Sequence, residues 1–599
     1  METVEPMRSL LSLALAGLLL LTVSFAADTT QPKILPVDQI QPGMKGVAYT
    51  VFEGVKPEAM DLEVLGVLKN ANGPKSDLIL VRLKGNKPEY TGVVAGMSGS
   101  PVYIDGKLVG ALSYRIGQFS KEPIAGVTPI VQMLEINELD KTMPADAVTG
   151  NGAPKNQASK TSVGASAESP LSNYANLLTP IEAPLVFSGF SEDALRKFSP
   201  QFASAGVIPV MGAGSASNEK QPEPIEPGSS VSAILVRGDM DIAATCTVTY
   251  YDADRLLACG HPLMQFGQVE MPMTKSRIVA TLPSPMNAFK IVNTTEAIGT
   301  FVQDRKTGIL GRFNQTPRMV PVTLTIRTGA RQKEFHYEVL NNSKLTPVAM
   351  MATFYNALQG VNEYGEETTY RLNGHIGVAG FPDVSLQNMF APLDGGMPTA
   401  YAVALSLGDR FSRVFDNPTS TPDIKSVDLD VELVNERRWL RLETARTDVT
   451  EARPGDDIIL EAVLRPYRGE RIVRQIPIKV PTSTPQGSLR ILVSDGETLD
   501  RMRRVSAGLG RKMDLGTTIA LLNKEHANHR LYVSMLEANP QAMVEDKVMP
   551  TLPLSVMNVM DGMRGTQDMI VTGESAVNES STPFDYVVTG SQVITVNVK

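Results

Sequence analysis

Val93-Val94-Ala95-Gly96-Met97-Ser98-Gly99-Ser100-Pro101-Val102-Tyr103-Ile104-Asp105-Gly106-Lys107-Leu108-Val109-Gly110-Ala111 carries more information than any other stretch of this chain. An apolar run leads into a Gly/Ser loop. A short apolar strand, an Asp-Gly turn and a second apolar strand follow, which is the signature of a β-hairpin. Glycines around Ser98 free the backbone to turn its N–H groups inward beside the hydroxyl. The amides of Gly96 and Ser98 can then form an oxyanion hole around a carbonyl attacked by the Ser98 Oγ. The motif is not the lipase elbow, because the second residue after Ser98 is Ser100 rather than glycine. A structural Gly/Ser turn is written with the same letters, so the reading depends on a base elsewhere in the chain.

Five histidines are available. His261 stands in Leu256-Leu257-Ala258-Cys259-Gly260-His261-Pro262-Leu263, directly after a predicted strand, where a barrel loop presents a side chain. His336 falls in an alternating strand pattern. His526 and His529 fall in a polar helical stretch, and all three read as surface or packing residues. His375 is a weaker rival. His261 is therefore the candidate base for Ser98.

Composition narrows the alternatives. A chain of 599 residues should hold about three or four domains at roughly 150 residues each. Hydrophobic residues make up 42% and charged residues 20%, an ordinary globular mixture. The net charge of −8 argues against a nucleic-acid binder, which needs a strong basic patch. Two cysteines exclude a disulfide-dense scaffold and any four-cysteine metal site. No Walker loop, dinucleotide glycine fingerprint or HExxH occurs, and no metal or cofactor is expected.

The N-terminus reads as an export signal over 1–26. Arg8 precedes an apolar run from Leu10 to Val23, and Ser24-Phe25-Ala26 supplies a small-x-small cleavage site. Glu2 and Glu5 are unusual there and point to Met7 as the start. The mature chain is expected in the periplasm or outside the cell, beginning near Ala27. No later segment is apolar enough to span a bilayer.

Along the chain, 33–140 reads as a β-rich, serine-bearing half. Residues 141–170 (with GNGAPKNQASKTSVGASAES) cannot bury a core and read as a linker. A connecting segment, 171–230, contains a short helix at Ser191–Lys197. The stretch 231–420 is a histidine-bearing β half. It holds helices at Thr346–Gln359, capped by Thr346, and at Pro398–Phe415. A Pro/Thr/Ser break at Asn417–Pro422 precedes a C-terminal β domain, 424–599, sandwich-like with a helical insertion near Leu515–Leu531.

Two blocks of the sequence resemble the SpoIVB-type sporulation serine peptidases of the chymotrypsin-like group. One is QIQPGMKGVAYTVFEGVKPEAMDLEVLGV with TGVVAGMSGSPVYIDGKLVGALSY and the short helix Pro129–Leu134. The other is VTYYDADRLLACGHPL with IGTFVQDRKTGILGRF. Together they cover under a third of the chain. The resemblance implies a pair of β-barrels with the active site between them, Ser98 as nucleophile and His261 as base. Two features depart from the family. The serine block precedes the histidine block, which implies circularly permuted halves. The family's acid lies shortly before its serine motif, where this chain has Lys84, with only Glu89 closer to Ser98 and Asp77 further upstream. Asp304 falls near the histidine-to-aspartate spacing of two-barrel enzymes and is the expected substitute. The family's PDZ-type module is not evident.

Cys246 and Cys259 flank Tyr251-Asp252-Ala253-Asp254. A hairpin centred between Asp252 and Ala253 opposes them directly, within disulfide range. The expectation is a Cys246–Cys259 bridge pinning the strand before His261.

Two functions compete. One is an exported serine endopeptidase acting on peptide or protein substrates through Ser98, His261 and Asp304. The other is a catalytically weak or inactive relative that binds proteins or glycans through its C-terminal β domain.

Overall fold

The computed structural model describes residues 32–116, 122–142, 178–204, 208–212, 219–284, 288–362, 364–393, 396–417, 421–507 and 513–537, with shorter pieces between 541 and 599. The expected signal segment and nearly all of the expected linker lie outside them. Among the described residues, no helix is long and apolar enough to cross a membrane.

The chain is mainly β. Strands β1 (Lys45–Thr50), β2 (Glu58–Leu68), β3 (Leu78–Lys84), β4 (Pro101–Ile104), β5 (Lys107–Ile116) and β6 (Ile124–Pro129) pair antiparallel in the order β4-β1-β2-β3-β6-β5. A β4–β5 pairing returns to the start and closes a six-stranded barrel. Alternation sets the inside: Met60, Leu62 and Val64 of β2 are buried while Asp61 between them is exposed. The Asp-Gly turn forms as predicted. Asp105 and Gly106 both have positive φ (50° and 72°), as a two-residue hairpin turn requires.

After this barrel, β7 (Leu178–Pro180) adds to the outer edge of β5, and β8 (Pro184–Ser188) pairs with β9 (Ile208–Met211). A second closed barrel follows. It is built from β10 (Ser230–Gly238), β11 (Asp241–Tyr251), β12 (Arg255–Ala258), β13 (Gly267–Leu282), β14 (Phe289–Arg305) and β15 (Gly308–Phe313). Their order is β10-β13-β14-β15-β12-β11, closed by β10–β11. The fold is thus the expected double β-barrel.

The second barrel opens outward into a larger sheet. The C-terminal end of β10 also pairs with β17 (Arg331–Leu340), beside β16 (Met319–Thr328). Beyond β16, the sheet ends with β18 (Thr369–Val378) and β19 (Val384–Phe390). Between β16 and β18 lies β20 (Ile424–Val434), parallel to the first and antiparallel to the second. The boundary expected at Asn417–Pro422 therefore falls inside this unit, which continues through Val434. Three helices cover the sheet: Glu192–Ser204, Leu345–Val361 and Thr399–Phe415. Phe198, Tyr355 and Tyr401 stack edge-on where they meet. Thr346 does not cap its helix. It lies inside the first turn and donates to the Leu340 carbonyl at 2.6 Å.

The C-terminal domain is a sandwich. One sheet contains Trp439–Thr447, Asp457–Pro466, Ile472–Lys479 and Val587–Thr589. The other contains Gly487–Ser494, Arg530–Glu537, Ser575–Pro583 and Ser591–Val598. Leu440, Leu460, Ile491, Leu531 and Val596 fill the space between them. The insertion holds two helices, Gly496–Ala507 and Leu515–Leu522. The second packs Leu515, Ile519 and Leu522 into the core of the preceding unit.

Candidate active site

Ser98 lies in a tight loop between the barrels. The amides of Met97 and Ser100 donate to Val94 and Met97 carbonyls, and the Gly99 amide donates to Leu112 of β5 at 2.7 Å. Gly96 and Gly99 adopt φ of +96° and +94°, where a side chain would be strained. A Cβ on Gly99 would overlap the Thr247 carbonyl and come within 2.5 Å of the Cys259 nitrogen. Met97 packs into the first barrel's core, and Ser98 is fully buried. Strand β11 of the second barrel holds this loop. The Thr247 amide donates to the Ser98 carbonyl (2.8 Å), Thr247 Oγ1 to the Gly96 carbonyl (3.0 Å) and Thr249 Oγ1 to the Gly99 carbonyl (2.7 Å).

His261 comes from the loop after β12 and approaches the same junction. Cys259 and Gly260 have φ of +69° and +71°. The Gly260 carbonyl accepts from Thr128 Oγ1 of the first barrel at 2.7 Å, and a Cβ at Gly260 would sit 2.8 Å from that of Ala111. The serine and histidine loops, 163 residues apart in sequence, thus meet at one barrel–barrel junction. His261 Nδ1 is 2.7 Å from the Pro262 carbonyl. A carbonyl can only accept, so Nδ1 carries the proton and Nε2 is the basic nitrogen. Burial lowers the imidazole pKa, against the opposing pull of the Pro262 carbonyl, the Glu182 charge and the Ile181 backbone. The net shift favours the neutral ring, the state a general base needs.

Ser98 Oγ and His261 Nε2 are both buried and have no hydrogen-bond partner among the described residues. They are therefore not bonded to each other. Of the two expected oxyanion donors, the Ser98 amide makes no backbone hydrogen bond among the described residues. The Gly96 amide points to the Glu182 carbonyl at 3.3 Å.

Asp304 has a different task from the one expected. It is fully buried on β14, and its carboxylate accepts from the amides of Leu263 (2.7 Å), Met264 (2.8 Å) and Phe266 (3.4 Å). It fastens the loop that follows His261 and makes no hydrogen bond to the imidazole. Burial raises its pKa to about 6, against the lowering effect of those amides. Lys84 is in an ion pair with Glu63 at 2.6 Å, Asp77 is paired with Lys69, and Glu89 accepts from the Gly85 amide. The carboxylate whose charge reaches His261 is Glu182, itself paired with Arg115 at 2.6 Å.

Cys246 and Cys259 form the expected disulfide, with Cα atoms 5.2 Å apart. The hairpin register differs from the expectation. Tyr251 pairs with Leu256, and a bulge between Val248 and Tyr250 shifts the ladder. Cys259 lies one residue beyond β12, so the bridge joins a strand to the loop holding His261. Among the other histidines, His375 lies 3.2 Å from Asp428 and His336 3.3 Å from Glu334. His526 is held between Asp500 (2.5 Å) and Glu579 (3.0 Å), after the helix Leu515–Leu522 rather than on a polar helix.

Four residues near this junction escaped the sequence reading: Arg115, Ile181, Glu182 and Lys290. Lys290 is fully buried on β14, donates to Thr50 Oγ1 at 2.7 Å and lays its methylenes against Gly96. Burial lowers its pKa to about 7. The available signal was a lone charge in an apolar stretch, as in ALSYRI, PIEAPLV and FKIV.

Residues 17–132 match the family described as SpoIVB peptidase S55, a span that includes the Ser98 loop and ends before the second barrel. The match supports a SpoIVB-type serine peptidase. No curated protein and no solved structure matches the chain.

Proposed function

Starting from a serine-bearing barrel of SpoIVB peptidase S55 type, we propose that the chain is an exported serine endopeptidase. Ser98 attacks the peptide carbonyl, and His261 Nε2 takes the hydroxyl proton and returns it to the leaving amine. The Ser98 amide, joined by that of Gly96, holds the oxyanion. One observation carries the reading. The Ser98 and His261 loops meet where the barrels join, and among the described residues neither the hydroxyl nor Nε2 makes a side-chain hydrogen bond. Catalytic hydrogen bonds are often long in unliganded sites and shorten with substrate.

A catalytically weak binding protein is the second reading. The observation favouring it is that His261 Nδ1 is held by a carbonyl where active triads have a carboxylate. Loss of that support costs about 10⁴ in turnover in the serine proteases.

A fluorophosphonate probe separates the two. The endopeptidase reading expects labelling of the wild-type chain that disappears in Ser98→Ala and falls at least a hundredfold in His261→Ala. Absence of labelling both in the wild-type chain and in Glu182→Arg would favour the binding protein.

A further inference from the structure

A piece of the chain itself lies across the proposed cleft. Strand β7 pairs antiparallel with the outer edge of β5, with Thr179 opposite Arg115 and Pro180 opposite Tyr114. The next residue, Ile181, donates its amide to the Ser113 carbonyl at 2.8 Å, is fully buried and packs into the first barrel's core. Glu182 then places its backbone carbonyl on the Gly96 amide. Backbone of this segment also faces the His261 ring. An extended strand hydrogen-bonded to a sheet edge, with a carbonyl on an oxyanion donor, is how a peptide would be held for cleavage. Ile181 pairs with Ser113, but the following carbonyl, not its own, takes Gly96.

The Glu182 side chain adds a selective element. Arg115 Nη2 contacts both of its carboxylate oxygens, at 2.7 and 2.6 Å. Arg115 is only 7% exposed at its side chain, and its Nε has no partner among the described residues. A buried guanidinium needs a carboxylate, and removing the partner of such a pair is strongly destabilising.

We propose that Leu178–Ala183 is an in-cis occupant of the substrate cleft, and that Arg115 selects an extended peptide bearing an acidic side chain at the position Glu182 now fills. This rests on the peptidase reading for the identity of the cleft but not on turnover. The segment leaves as a unit, the edge of β5 accepts the incoming strand, and Arg115 takes up its carboxylate.

The test is direct binding in a Ser98→Ala background. The probe is a fluorescent hexapeptide with the sequence of residues 178–183, Leu-Thr-Pro-Ile-Glu-Ala. Glu182→Arg sets two guanidinium groups against each other and expels the segment. The peptide should bind this chain at least tenfold tighter than it binds the Ser98→Ala parent. The same peptide with glutamine for glutamate should bind at least tenfold more weakly. Equal binding to both chains, no discrimination between the peptides, or no saturable binding would each overturn the proposal. If Glu182→Arg lacks a cooperative unfolding transition, Glu182→Gln carries the same test with an expected gain of at least threefold. A chain that binds the peptide but never reacts with fluorophosphonate when Ser98 is present keeps this inference and removes the peptidase reading.

Discussion

Lys290 and Asp304 are buried ionisable groups on one strand, β14, and they impose opposite pH dependences. For Lys290 the folded pKa of about 7 lies below the ordinary 10.5. Between those values the unfolded chain binds more protons, so stability rises as pH climbs from about 7 toward 10.5. For Asp304 the folded value of about 6 lies above 3.8. The folded chain holds the proton more tightly, so its contribution is present below about pH 4 and is lost as pH rises through 6. Each pH unit corresponds to roughly 1.4 kcal/mol per group. Lys290→Met is therefore expected to flatten the rise in Tm between pH 7 and 10, measured by differential scanning calorimetry. An unchanged slope would refute the assignment. Neither residue's role was legible in sequence. Asp304 stood at a plausible spacing for a triad acid, but spacing does not say which way a carboxylate turns. Here it turns to the amides of Leu263, Met264 and Phe266.

At the level of elements, the His261 loop is tied twice, by the Cys246–Cys259 bridge before it and by Asp304 after it. Asp304→Ala would strand buried amides, at about 1–3 kcal/mol for each one left unpaired. The expected result is lower stability together with a fall of at least tenfold in the rate of Ser98 labelling. Asp304→Asn, which keeps one acceptor oxygen, should recover part of both. Equal loss in the two variants would point instead to a charge-dependent role. The hairpin after Ser98 was readable because Asp-Gly dictates its turn. The cysteine hairpin was readable only in outline: the pairing of the thiols was correct, but a bulge between Val248 and Tyr250 moved the register. Bulges leave no fixed mark in a sequence of alternating apolar residues. Arg115 and Glu182 stayed hidden for a related reason. Their contact exists only because the chain returns to β5 after residues 143–177, and no local pattern encodes that return.

For the whole molecule, the two barrels were legible and the boundary behind them was not. The Pro/Thr/Ser run at 417–422 has the composition of a linker, yet β20 returns to sit between β16 and β18. Parallel pairing with a strand about a hundred residues earlier cannot be seen in a window of sequence. A chain ending at residue 436 is therefore expected to keep a cooperative unfolding transition. One ending at 422 should lose it, because β18 and β19 would be cut off from the sheet. Similar transitions in both would contradict the central place of β20. The chain ending at 436 should also melt lower than the full protein, because Leu515, Ile519 and Leu522 no longer cover the core.

The segment proposed to fill the cleft runs straight into β8, which is paired to β11 of the second barrel, so its C-terminal end stays tethered beside the site when β7 leaves β5. A ligand tethered by a short link acts at an effective concentration on the order of millimolar. A free peptide must compete against that concentration to reach Ser98. Dilute chance encounters are then ineffective. On the proposed reading, a peptide delivered at high local abundance would displace the segment where a dilute one would not.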